Sequence, residues 1–219
     1  AEQLSNFYPD IQDKRFISNF AVYHQRYSTN AFPTWSLAQP FRVIAHNGEI
    51  NTLKGNKNWK EAHEPRMHHA SYDKDIEDLK PIIDRTASDS AALDSTIELL
   101  VRTKRSLPMA KLMTIPEAFA HRRDFPKKLK DLYTYANAVM ESWDGPAAIC
   151  GCHDQWAIAG MDRNGLRPLR YTLTNDFLIA GSETGMVEID EAEILERGRV
   201  GPGQMIAVNF KEGKFYKDK

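Results

Sequence analysis

The run FAVYHQRYS over 20–28 alternates apolar and polar residues and is rich in β-formers, which predicts a strand. FRVIAH over 41–46 predicts a second strand, ending at Asn47-Gly48. The stretch between them, TNAFPTWSLAQP, carries two prolines and reads as a loop. A helix is expected from Glu49 or Ile50 toward His63, where Pro65 argues for a stop. Residues 66–86 are polar with little periodicity, a polar excursion or a flexible loop. Beyond Ser88-Asp89-Ser90, the common face of Ala92, Thr96, Leu99 and Leu100 predicts a helix with Asp89 as its N-cap. Pro108 and Pro116 punctuate the next region, and Leu132, Tyr135, Ala136, Val139 and Met140 mark one face of a helix over 129–141.

After Trp143 the period changes to two. AAICGC, QWAIAG, LRPLRYTL, DFLIAGS and QMIAVNF are short apolar or alternating runs set between turn words, the pattern of antiparallel strands. Asn164-Gly165 predicts a two-residue hairpin joining QWAIAGMD to LRPLRYTL, and the acidic run 183–196 reads as a solvated connector. Strand, strand, helices, then several strands is best accommodated by stacked layers of helix and sheet, a mixed α/β fold.

Composition narrows the classes. The 219 residues hold 42% hydrophobic side chains with four Trp, eight Tyr and ten Phe, enough apolar surface for a globular core. A formal charge of −1 gives no electrostatic basis for nucleic-acid binding. No apolar run approaches the roughly 20 residues of a membrane-spanning helix, and the polar start AEQLSNFYPD lacks a signal-peptide layout. Two cysteines make no disulfide framework, so a soluble, intracellular protein of a reducing compartment is expected. Cys150 and Cys152 flank Gly151 and should point to one face as small core or interface residues. His63, His68 and His69 near Glu61 and Glu64 lack metal-site spacing, and no metal is expected there.

Three polar clusters carry possible chemistry. In HQRYSTN over 24–30, Arg26 could clamp a carboxylate and Thr29 could donate to it; otherwise Arg26 is a surface ion-pair partner. In AHNGE over 45–49, the Asn47 amide and the Gly48 N–H could converge on one developing oxyanion; Asn-Gly otherwise marks a tight turn. In Ser88-Asp89-Ser90, the Asp89 carboxylate could receive an ammonium group; simple helix capping is the alternative.

Taken in order, HQRYSTN, AHNGEINTLKGN, SDSAALDS, IPEA, WDGPAA, DRNGLRPLRY and GPGQM make the chain resemble the glutaminase domain of glutamate synthases. That domain is a type-2 glutamine amidotransferase of the N-terminal-nucleophile kind. The resemblance is collinear, covers nearly the whole chain, and makes 1–219 part of a single glutaminase domain. It implies a four-layer αββα sandwich, here without its first strands. It implies that Arg26, with Thr29 beside it, holds the glutamine α-carboxylate, that Asp89 holds the α-amino group, and that Asn47 and Gly48 form the oxyanion hole. It implies an attacking N-terminal cysteine whose own amino group is the base; the chain starts at Ala1, so it is expected to be a fragment unable to hydrolyse glutamine alone. Loss of the first strands would expose sheet edges, so the chain is expected to self-associate or to pair with the missing N-terminal segment.

For the whole enzyme the resemblance implies ammonia transfer to 2-oxoglutarate in synthase domains. Those domains carry FMN and an iron–sulfur cluster and are fed by an electron-donor subunit or ferredoxin. No cofactor and no metal is expected in these residues, and the compartment is cytoplasmic, or a plastid in a photosynthetic eukaryote. Two other readings compete: an amidotransferase with a different acceptor, of the amidophosphoribosyltransferase kind, and a non-catalytic amino-acid-binding or interaction module.

Overall fold

The computed structural model describes residues 3–27 and 32–217. The elements are α1 (Leu4–Phe7), β1 (Ile44–Gly48), α2 (Leu53–His63), α3 (Asp89–Arg102), α4 (Leu107–Thr114), α5 (Lys127–Val139), β2 (Ala147–His153), β3 (Trp156–Met161), β4 (Arg170–Thr174), β5 (Leu178–Gly181), β6 (Ile194–Arg199), β7 (Met205–Asn209) and β8 (Lys214–Tyr216). No described helix is long and apolar enough to cross a membrane.

Two antiparallel sheets result, one in the order β1-β2-β3-β7-β8 and a smaller one in the order β5-β4-β6. Strand alternation sorts the core into two layers. Ile44, Ile149, Ile158 and Ala207 pack with Leu93, Ile97, Leu107 and Ala110 of α3 and α4. Their neighbours Ala148, Ala159 and Ile206 pack instead with Leu169, Tyr171 and Val200 on the smaller sheet. These are the helix, sheet and sheet layers of an α/β sandwich. Cys150 and Cys152 both lie on β2, unbonded, and Cys150 joins the cluster between the sheets.

Several expectations need correction. Of the segment 20–28, residue 28 lies outside the described residues, and described residues 20–27 form no strand: Tyr27 bridges to Ala38, and no described strand runs alongside to pair the segment's other backbone groups. The flanking run instead leaves Phe7, Phe16, Ile17, Phe20, Phe32 and Trp35 exposed. The second strand begins at Ile44, later than expected. Asn164-Gly165 is not a hairpin: β3 and β4 lie in different sheets, and the turn carries the chain from one to the other. Asp162 fixes that crossing, its carboxylate accepting from Ala147 N at 3.1 Å and Asn164 N at 2.8 Å.

The acidic connector ends in β6, whose alternating exposure pairs it with β4. Helix α4 was hidden by Pro108, which sits in its first turn while Ser106 caps it. On α5 the buried residues are Tyr133 and Ala136, while Tyr135 and Val139 are exposed, so the face is rotated from the expected one. Ser88, not Asp89, caps α3, accepting from Ala91 N at 3.2 Å. Segment 66–86 contains a 3-10 helix over Asp73–Leu79 and is pinned at its downstream end by the Ile82 N–H to Glu64 bond, at 2.7 Å.

Candidate functional site

The site grows from the meeting of three segments: the end of β1, the start of α3, and the turn into β2. Residues 49–51 zip onto 144–146, with Glu49 N donating to Pro146 O at 3.0 Å and Asn51 N to Asp144 O at 2.8 Å. Two glycines permit this approach. A Cβ on Gly48 (φ +156°) would stand 1.8 Å from Pro146 O, and one on Gly145 (φ +153°) 2.0 Å from Glu49 O. The Asn-Gly and Asp-Gly-Pro words are therefore the two halves of one backbone contact, and neither is a hairpin turn.

On β1, alternate residues face opposite layers. His46 faces α3, where its Nε2 meets Ser90 Oγ. Asn47 faces the smaller sheet, where its amide donates to Ser182 Oγ at 3.0 Å. An amide nitrogen has two hydrogens, so one remains for a ligand. The N–H groups of Ile44 and His46 point away from β2, and side chains satisfy them: Asp94 Oδ1 at 2.9 Å and Gln39 Oε1 at 2.8 Å. Strand alternation places the Gly48 N–H next along that same open edge.

Asp89 lies at the first residue of α3, half-buried. Its Oδ2 accepts from Ile50 N at 2.9 Å; its Oδ1 accepts from Ser90 N at 2.7 Å and Ser90 Oγ at 3.0 Å. Of about four acceptor positions on a carboxylate, three are used and one is open to a ligand cation. A cleft of about 940 Å³ opens here, lined by Glu49, Ser88 and Asp89 together with Phe32, Thr34 and Leu37.

Burial pushes the His46 imidazole below its ordinary value of 6.5, outweighing the attraction of Asp89; His24 and Arg167 act in the same downward direction. His46 is therefore neutral at neutral pH. The pH consequence has a definite sign. The unfolded chain takes up this proton near 6.5 and the folded chain only at lower pH, so stability is unaffected above about 6.5 and falls as the solution is acidified below it. Partly buried His153, also lowered chiefly by burial, acts in the same sense. The melting temperature is expected to drop between about pH 7 and about pH 5, and His46→Gln, which does not titrate, to flatten that slope. Equal slopes for both proteins would contradict the assignment.

The structure thus brings Asn47, Gly48 and Asp89 to one junction. Arg26 stands exposed and makes no hydrogen bond or ion pair to any of these three. Its neighbour Tyr27 bridges to Ala38, next in sequence to the Gln39 that caps His46 N–H. Thr29 lies outside the described residues. Ser182, Ser90 and His46 were missed in these roles: Ser182 is 135 residues from Asn47, and nothing local in GSET announces the contact. Among the described residues no group of three or more His, Cys, Asp or Glu side chains is placed to hold a metal. His63 pairs with Glu141 at 3.0 Å, while Glu61 pairs with Arg85 and Glu64 takes the Ile82 N–H.

A helix start carrying an open carboxylate beside a strand end carrying two neutral donors suits an amino acid whose side chain passes through an oxyanion. The chain matches the class-II glutamine amidotransferases over residues 1–219, and it belongs to that family. Within it, the chain is 57% identical to the glutamate synthase (NADPH) large chain of Azospirillum brasilense, over 100% of this chain and 14% of that protein. It is 46% identical to ferredoxin-dependent glutamate synthase 2 of Synechocystis sp., over 98% of this chain and 14% of that one. The chain therefore spans 14% of the length of these curated relatives. Its fold is similar to glutamine phosphoribosylpyrophosphate amidotransferase from B. subtilis, solved with ADP and GMP, at a TM-score of 0.50 and 22% identity, over 89% of this chain and 34% of that one.

Proposed function

We propose that these residues form part of a single glutaminase domain of a glutamate synthase, holding glutamine and the oxyanion formed as its side-chain amide is cleaved. The observation that carries this reading is the junction itself, where the Asp89 carboxylate stands two residues past the Asn47-Gly48 donors through the Ile50 N–H bond. Glutamine is a zwitterion, so Asp89 takes the α-ammonium and Arg26 the α-carboxylate, with Thr29 beside it. When a thiolate attacks the side-chain carbonyl carbon, the carbonyl oxygen becomes anionic, and the Gly48 N–H and Asn47 amide receive it. The C–N bond then breaks, ammonia leaves with a proton, and a glutamyl thioester remains for water to hydrolyse to glutamate.

The attacking thiol comes from outside these 219 residues. Cys150 is held on β2 with its thiol pushed up to about 11 by burial, and burial raises Cys152 as well. Neither has the lowered pKa of a nucleophile, which supports the reading that these residues by themselves do not hydrolyse glutamine. Among the described residues an iron–sulfur cluster finds no fitting ligand set: the two cysteines flank Gly151 on one strand, and no group of three or more His, Cys, Asp or Glu is placed to hold a metal. We place FMN and the cluster, the amination of 2-oxoglutarate and the contact with a donor subunit or ferredoxin in other domains of the longer polypeptide. The compartment on this reading is the cytoplasm, or a plastid in a photosynthetic eukaryote.

Arg26→Ala in the full-length protein tests the carboxylate role. Loss of a charged hydrogen bond is worth about 1.5–3 kcal/mol, so the KM for glutamine is expected to rise roughly tenfold or more. An unchanged KM in steady-state glutamate release would remove Arg26 from the site.

A further inference from the structure

We propose that Asp94 is a positioning residue for the oxyanion donors: it fixes the start of β1 on α3 and so sets where Asn47 and Gly48 stand relative to Asp89. This rests on the glutaminase reading above and adds a residue to it. Asp94 is buried, 4% exposed, on the helix that begins with Asp89. Its Oδ1 accepts from Val43 N at 3.0 Å and Ile44 N at 2.9 Å, and its Oδ2 from Arg42 N at 3.2 Å. No ion pair is formed by this carboxylate among the described residues, so three backbone N–H groups hold it against a burial that pushes its pKa up. A carboxyl group held this way is committed to one backbone geometry, since moving the strand would leave its buried oxygens without donors.

The placement reaches the site through two further contacts. β1 is an edge strand, and along its free side Asp94 takes Ile44 N–H and Gln39 takes His46 N–H. Alternation puts Gly48 N–H next on that side. On the face toward α3, His46 meets Ser90, four residues before Asp94. Four helical residues rise about 6 Å and two strand residues about 6.6 Å, so the Asp94–Ile44 and Ser90–His46 pairs hold strand and helix in one register. Asp89 closes the grip at Ile50 N. A strand released at Ile44 would shift along α3, carrying the oxyanion donors with it while leaving Asp89 on its helix. The expected signature is therefore a loss in kcat with the KM for glutamine held.

The test uses the full-length protein and Asp94→Asn, which keeps one oxygen acceptor and the side-chain volume. The expected result, after normalising to the folded fraction from circular dichroism, is a kcat for glutamate release lowered about 10- to 100-fold with KM within about threefold. In an Asn47→Ala background the same substitution is expected to cost clearly less, because the two residues act through one another. A normal kcat, a change confined to KM, a loss that only tracks the folded fraction, or full additivity with Asn47→Ala would each overturn the proposal. If wild-type protein releases no glutamate from glutamine, the glutaminase reading falls; if it does and Asp94→Asn matches it, the positioning role falls alone.

Discussion

Gly48→Ala is expected to lower kcat for glutamine hydrolysis in the full-length protein by at least about 100-fold and to destabilise the fold by about 1–3 kcal/mol. The methyl group would stand 1.8 Å from Pro146 O, and that oxygen is backbone, with no rotamer to move aside. Relief requires separating the end of β1 from the start of β2. That breaks the Glu49 N to Pro146 O bond of 3.0 Å and swings the Gly48 N–H away from its open edge. Gly55 supplies the control. It lies on α2, where an added Cβ would meet nothing within 4 Å, so Gly55→Ala should leave kcat alone and stabilise the helix by about 0.5–1 kcal/mol. Side-by-side kinetics and thermal melts decide the matter: a Gly48→Ala protein within threefold of wild type, where about 100-fold is expected, would contradict the geometry.

The second large effect is expected at Asp89. Asp89→Asn removes the charge that receives the ammonium while keeping one acceptor for Ile50 N or Ser90. The predicted cost is about 2–3 kcal/mol in transition-state binding, roughly a 30- to 150-fold fall in kcat/KM. It should fall mainly on KM, because the α-ammonium is bound equally before and during amide cleavage. Loss of one hydrogen bond to Ile50 or Ser90 costs the fold only about 1 kcal/mol. Glutamine kinetics paired with thermal melts separate the two effects. A KM unchanged from wild type would show that the ammonium is held elsewhere.

The difference between these two variants reflects what a sequence can reveal. Strands β2, β3 and β7 were legible because each packs on both core clusters and is bounded by turn words, whereas β6, with every second residue exposed, was read as a connector and β8 was not anticipated. The run 20–28 has an equally good pattern, yet its described residues 20–27 form no strand, since a strand also needs a neighbour, and alternation says nothing of one. Asn164-Gly165 has ideal hairpin chemistry and yet bridges two sheets, because Asp162 and the packing of Leu169 on the inter-sheet core decide where the chain goes.

In the site, Asn47, Gly48 and Asp89 were legible as residue types at a strand end and a helix start. Their supports were not. Ser182 acts across 135 residues, and Asp94 is a charged residue on a helix, which pattern reading assigns to the solvent side. Its burial follows from three backbone N–H groups that only the folded edge of β1 presents.

On the proposed reading this junction holds glutamine and the attacking thiol is supplied from elsewhere in the polypeptide. The most direct measurement is glutamate release from glutamine by the full-length polypeptide beside the same assay on these residues alone. Release by the full-length protein and none by the isolated piece is the expected result. Release by the isolated piece would place a nucleophile within it, and absence from both, with an amino acid still bound, would make this a binding module.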